Sequence, residues 1–253
     1  MKLLRIFQQD LKGYFRKKIY FMGSRTIGII GGMGPYASSY FYELLLRKSN
    51  ESYGAKNNDD YPEILINSVP VPDFISNTKQ RGKAKKMLIS RVKKLNSFGC
   101  RTIAMVCNTG HILHTELSKH SKSEFVSMID LVADETQVSK LKKVGILATQ
   151  TTIKSGLYRK ALLKRGILAI SPTLKIQKIH EVIIRDVLAG KENESHTKQL
   201  DILTRDFIKK NKLDGIILGC TELPLVFPKR KFRNVVDCLD VLSDNLLMRY
   251  YSK

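Results

Sequence analysis

No run of about 18 apolar residues occurs anywhere in the chain, which excludes a transmembrane helix. Cysteine is scarce. Four in 253 residues are too few for a disulfide scaffold and point to reduced thiols in a cytoplasmic setting. There is no Cys-x-x-Cys pair and no His/Cys cluster with metal-ligand spacing, so no metal site is expected. Acidic residues are few as well, 23 against 44 lysines and arginines, leaving a formal charge of +21. Such a field suits a nucleic acid, an anionic surface or an anionic small molecule. The basic clusters ("RKKIY", "KAKK", "RVKK", "KRKFR") carry no stacking aromatics at a nucleic-acid motif spacing, so nucleic acid is not expected as the partner.

What is present is 43% hydrophobic residues in a chain long enough to build a real core, in one large domain or two small ones. Residues 1–23 are basic and amphipathic but lack the uninterrupted apolar centre of a signal peptide, and they are set aside as an N-terminal basic extension. From Thr26 onward, apolar strands alternate with amphipathic helices. "TIGII" (26–30), "EILINSV" (63–69) and "TIAMV" (102–106) read as strands, with helices over 36–49 and 79–98. A second set follows: strands at 143–149, 168–171 and 214–219, helices at 152–166, 175–189 and 197–212. Each half opens on a glycine-containing apolar strand and ends as strand, cysteine, polar residues: "AMVCNTG" and "IILGCTE".

Short, fully apolar strands alternating with helices imply parallel sheets covered on both faces. The expected fold is therefore α/β, with two similar Rossmann-like domains in a pseudo-duplicated arrangement. The first domain is expected over 24–123 plus 237–253, the second over 124–236. Ligands of open α/β sheets bind at the carboxyl ends of strands, where Cys107 and Cys220 both lie. A cleft between the halves would hold both thiols. Thiols near a helix N-terminus or among hydrogen-bond donors have lowered pKa values, and the thiolate is the reactive form. Cys100 and Cys238 read as buried filler.

"GGMGP" (31–35) is not G-x-G-x-x-G, and Pro35 removes one amide at the helix start; a small-anion contact and a plain tight turn both fit. A Cys–His nucleophile has His111 and His114 nearby but no orienting third group, so His111 is expected to pack or cap. Glu222 could orient a base or form a salt link to the other half; the structural role is favoured.

In "TIGIIGGMGP", "CNTGH", "LATQTTIKSGLY" and "LGCTELP", taken in that order, the chain resembles the aspartate/glutamate racemase family from about Thr26 to its end. The resemblance implies a cofactor-independent amino-acid racemase of two α/β domains, a likeness that carries over a homodimer and a C-terminal helix packed on the first domain. It implies no pyridoxal cofactor. Inverting an α-carbon requires removing a proton from one face and returning one to the other, hence two acid/base groups. By resemblance these are Cys107 and Cys220. Asn108, Thr109 and Thr221 would bond the α-carboxylate and amino group, Thr149 would contact substrate, and Met33 and Asn67 would line strand ends of the first half.

Specificity departs from the family pattern. Where the resemblance leads one to expect an Arg and a Lys for a side-chain carboxylate, this chain has Phe74 and Leu188, with Lys191 three residues further on. Phe cannot reproduce a bidentate Arg clamp. Aspartate or glutamate is the default substrate and a neutral amino acid the alternative. A related isomerase, such as a maleate isomerase or hydantoin racemase, and a basic binding protein on the same scaffold are the remaining readings.

Overall fold

The structure is a computed structural model that describes residues 25–72 and 78–252. The extension at 1–23 and Phe74 lie outside the described residues. The first half contains β1 (Ile27–Gly31), α1 (Pro35–Tyr53), β2 (Ile64–Ser68), α2 (Arg81–Ser97), β3 (Thr102–Met105), α3 (His114–Ser118), β4 (Glu124–Val126) and α4 (Met128–Val138). The second half runs through β5 (Lys143–Leu147), α5 (Gln150–Ser155), α6 (Leu157–Leu163), β6 (Leu168–Ile170), α7 (Leu174–Leu188), α8 (Glu194–Asn211), β7 (Gly215–Leu218) and β8 (Val235–Asp237), and α9 (Cys238–Tyr251) closes the chain.

The strands form two four-stranded sheets of the same order, β2-β1-β3-β4 and β6-β5-β7-β8. Every pair is parallel. The central strands carry the reason: all residues of β1, β3 and β7 are buried, so no polar face is needed. The helices supply one apolar face each. Leu88, Val92 and Leu95 turn α2 inward, while its lysines and arginines stay on the solvent side.

Four features depart from the sequence reading. The short strand β4 carries no periodic signal, whereas α4, with Met128, Ile129, Val132 and Ala133 on one face behind the Ser127 cap, carries one that the sequence reading passes over; β4 pairs with β3 in the first sheet. Residues 124–126 therefore belong with the first half rather than opening the second. At the other end, Asp237 pairs with Leu218, so the second sheet extends through 237. The single helix expected over 152–166 is two helices. Gly156 breaks it in the left-handed region at φ 69, which ends α5 and starts α6. The C-terminal helix α9 does pack against α1, as the resemblance implies, and also against α4.

Candidate active site

The strand ends build the site. Past β3, the Val106 amide still donates to Ile30 of β1 (2.9 Å), and past β7 the Gly219 amide donates to Leu147 of β5 (2.7 Å). Each cysteine follows at once, at equivalent points of the two sheets. Both are buried and both line one cavity of about 230 Å³ between the halves. Met33, Asn108, Thr109, Thr149, Thr221 and Leu188 line the same cavity. Asn67 does not: it is half-buried on β2 opposite Ile30.

The "GGMGP" segment forms a tight turn. Gly32 sits at φ 87, its amide donates to Ser38 Oγ (2.9 Å), and that hydroxyl donates to Gly34 O (2.8 Å). A side chain at Gly34 would come within 2.5 Å of both Glu222 Oε1 and Leu188 Cδ1. Glycine there lets the first half close directly on the second. Gly32, Met33 and Pro35 form that edge of the cavity.

The two sulfurs have different neighbours. Cys107 Sγ accepts from the Gly110 amide (3.3 Å), in the 3₁₀ turn Thr109–Leu113. Cys220 Sγ donates to Glu222 Oε2 (2.9 Å), which also accepts from Thr221 Oγ1 (3.0 Å). Glu222 therefore does not form the salt link weighed from the sequence. It is buried with Oε1 unpartnered, and it reaches the cavity beside both thiols.

Burial pushes the Cys107 thiol up to about 12, and the Glu222 charge adds to the rise. Burial drives Cys220 well above the ordinary thiol value, again with Glu222 adding. The expected lowering of thiol pKa is thus reversed, because desolvation and a nearby carboxylate outweigh the amide donors. Burial raises the Glu222 carboxyl too.

His111 is fully committed elsewhere. Its Nδ1 is 2.8 Å from Cys107 O, which can only accept, and its Nε2 takes the Met128 amide (3.0 Å), which can only donate. The ring is therefore neutral, with the proton on Nδ1. Burial lowers its pKa to about 4. It packs and caps, and its nitrogens are not free to act as a base toward Cys107.

Three threonine hydroxyls close a buried ring across the halves. Thr109 Oγ1 lies 3.0 Å from Thr149 Oγ1 and 2.8 Å from Thr152 Oγ1, and Thr149 to Thr152 is 3.0 Å. Each hydroxyl has one proton, so a ring member that donates to a bound anion must release a neighbour. Thr152 was not foreseen; its spacing of three from Thr149 at a helix start is a capping signal, and its amide does donate to Thr149 Oγ1 (3.1 Å).

The remaining lining is mixed. Val71, Pro72, Ile184 and Leu188 make an apolar wall, with Glu181 and Arg185 one turn apart on α7. Arg185 Nε lies 3.8 Å from Glu181 Oε1, and Glu181 Oε2 accepts from the Gln150 amide (2.9 Å). Of these only Leu188 is singled out by the sequence, although Ile184 and Arg185 lie one turn before it on α7. Lys191, weighed as a substitute cation, is exposed and does not line the cavity. Among the described residues no group of three His, Cys, Asp or Glu could hold a metal ion. Two protonable sulfurs opening on one small cavity, with a carboxylate against one of them, can exchange protons with a carbon held between the halves.

The family described as Asp/Glu/Hydantoin racemase matches residues 30–243. The broad specificity amino-acid racemase RacX of Bacillus subtilis is 30% identical over 79% of this chain and 86% of its own. Among solved structures, an aspartate racemase homologue from Pyrococcus horikoshii superposes with TM-score 0.78 at 29% identity, covering 90% of this chain and all of the other. An aspartate racemase of Picrophilus torridus gives TM-score 0.75 at 28% identity, over 90% of this chain and 95% of that one.

Proposed function

The chain belongs to the Asp/Glu/hydantoin racemase family and is an amino-acid racemase; we propose that Cys107 and Cys220 are its paired acid and base, without pyridoxal, and that its substrates are α-amino acids with uncharged side chains. The observation that carries the reading is the placement of both thiols at equivalent strand ends on one cavity.

One sulfur, as thiolate, takes the α-proton; the other, as thiol, gives its proton to the opposite face, and the two exchange states with each turnover. A thiolate whose conjugate acid has a raised pKa is scarce but strongly basic, which suits a weakly acidic carbon acid. Glu222, already accepting from Cys220, is placed to take that proton and generate the thiolate. Its unpartnered Oε1 suits a substrate ammonium. An incoming ammonium also offsets the carboxylate charge that holds both thiols protonated. The Asn108 amide and the Thr109, Thr149 and Thr221 hydroxyls would bond the substrate carboxylate and the enediolate formed from it.

Leu188, Ile184, Val71 and Pro72 favour an uncharged side chain, in keeping with the breadth named for the Bacillus relative. Arg185 on the same wall favours the second reading, in which it meets the side-chain carboxylate of aspartate or glutamate. A panel of L- and D-amino acids in D₂O, followed by NMR for α-hydrogen exchange, separates the two. Exchange confined to neutral substrates is expected; exchange confined to aspartate and glutamate would replace the proposal with the Arg185 reading. All four cysteines are free thiols, which fits a reducing, cytoplasmic compartment.

A further inference from the structure

We infer that Tyr158 is a positioning residue for the reaction, its hydroxyl orienting the Asn108 amide beside Cys107 while its ring packs under Gly219 beside Cys220. This rests on the two-cysteine reading above. Tyr158 lies in the second half, on α6, and is buried. Its hydroxyl donates to Asn108 Oδ1 at 2.5 Å, and Asn108 directly follows Cys107. Its ring fills the space that a side chain on Gly219 would need, with Cε2 2.7 Å from that position, and Gly219 directly precedes Cys220. One side chain therefore touches the chain neighbour of each thiol.

The Asn108 amide is held from two directions. While Oδ1 takes the tyrosine proton, Nδ2 donates to Cys238 Sγ at 3.2 Å, at the first residue of α9. An amide can flip, presenting oxygen where nitrogen stood; a phenol is a much stronger donor than a thiol, so the orientation with Oδ1 toward Tyr158 and Nδ2 toward Cys238 is favoured. That orientation leaves the second Nδ2 proton for the cavity that Asn108 lines. A flipped amide would present its oxygen lone pairs to an anionic enediolate and repel it. Tyr158 remains protonated as a donor, since burial and the neighbouring Cys238, Cys220 and Asp237 raise its pKa well above the ordinary phenol value. Cys238, which reads as filler in the sequence, becomes the second clamp.

The test is kinetic. Tyr158→Phe keeps the ring under Gly219 and removes only the hydroxyl. The expected result is a fall in kcat of roughly tenfold or more in both directions, with KM within about twofold, because the lost orientation matters most when negative charge develops. Cys238→Ser should keep wild-type kcat, while Cys238→Ala should lose kcat in the same sense as Tyr158→Phe. The combination of Tyr158→Phe with Asn108→Ala should cost little beyond Asn108→Ala alone, since residues acting through one another are not additive. An unchanged kcat in Tyr158→Phe, or losses that multiply in the double variant, would overturn the inference. Cys107→Ala and Cys220→Ala run alongside: if these stay active the two-cysteine reading itself has failed, and if they are inactive while Tyr158→Phe is normal, only the role of Tyr158 has.

Discussion

The two halves have one topology and two electrostatic settings. The sheets have the same strand order, and each thiol follows the third strand of its half in sequence. Yet Cys107 faces a donor, the Gly110 amide, whereas Cys220 faces an acceptor, the Glu222 carboxylate. A sulfur among donors is the easier one to ionise; a sulfur donating to a carboxylate rests as the thiol until that carboxylate takes its proton. Behind Cys107 stands His111, bonded to its carbonyl, while Cys220 has the Tyr158 ring beneath the preceding glycine. Repeating a fold repeats the backbone positions of a site without repeating the charges around them. In the proposed two-thiol reaction, that asymmetry would set which sulfur starts as the acid.

The comparison is broken most directly at the sulfurs. Replacing either cysteine by alanine is expected to lower racemisation by at least about 10³-fold, because the partner thiol can no longer complete the proton transfer. Exchange of α-hydrogen with solvent deuterium sharpens it. Where exchange persists in a variant, it should persist from one enantiomer only, and from opposite enantiomers in the two variants. Wild-type racemisation by either variant would remove the two-base mechanism.

Glu222→Gln tests the difference between the halves. Losing the acceptor for the Cys220 proton is expected to cost about 10²-fold in kcat. The sign for the thiols runs the other way. Glu222 raises both Cys107 and Cys220, so without its charge both should ionise at lower pH, as read by the ultraviolet absorbance of thiolate. The variant would thus hold more thiolate and turn over more slowly. A titration that stays in place or moves to higher pH would show that the carboxylate does not govern these thiols.

How much of this was visible in the chain depended on whether the signal was local. Apolar runs such as "TIGII" and "GIIL" mark central strands because both faces are buried, so burial is written directly into consecutive residues. The cysteines stood out by position, since strand ends are where such sheets bind ligands. The strand β4 left no trace: it has three residues, starts with a glutamate, and exists only because β3 offers it an edge. The clamp on Asn108 was equally hidden, as Tyr158 and Cys238 lie 50 and 130 residues away. Thiol pKa failed as an expectation for the same reason. The sequence shows donors beside each cysteine, but desolvation comes from everything that packs over them.

His111 gives the smallest expected change in activity and separates support from chemistry. It links the Cys107 carbonyl to the first amide of α4, and only the neutral ring can do so, because protonated Nε2 cannot accept. Its pKa falls from 6.5 to about 4 through burial first and the neighbouring His114 second. A histidine lowered on folding contributes stability in full above its unfolded value and loses it as pH falls through the folded one, because the unfolded chain takes up the proton earlier. The wild-type protein should therefore lose stability between pH 6.5 and about 4, by an amount on the order of a few kcal/mol for this group. His111→Gln should be less stable at neutral pH by roughly 1–2 kcal/mol, through the lost cap. Its denaturation midpoint should then fall less steeply with acid than that of the wild type. Buried His180, also lowered to about 4, keeps part of the slope in both proteins. Parallel slopes in urea titrations would show that His111 is not held neutral in the folded chain. A shifted pH–rate profile with unchanged stability would instead place it in the chemistry beside Cys107, and the two halves would then each have a titrating partner for their sulfur.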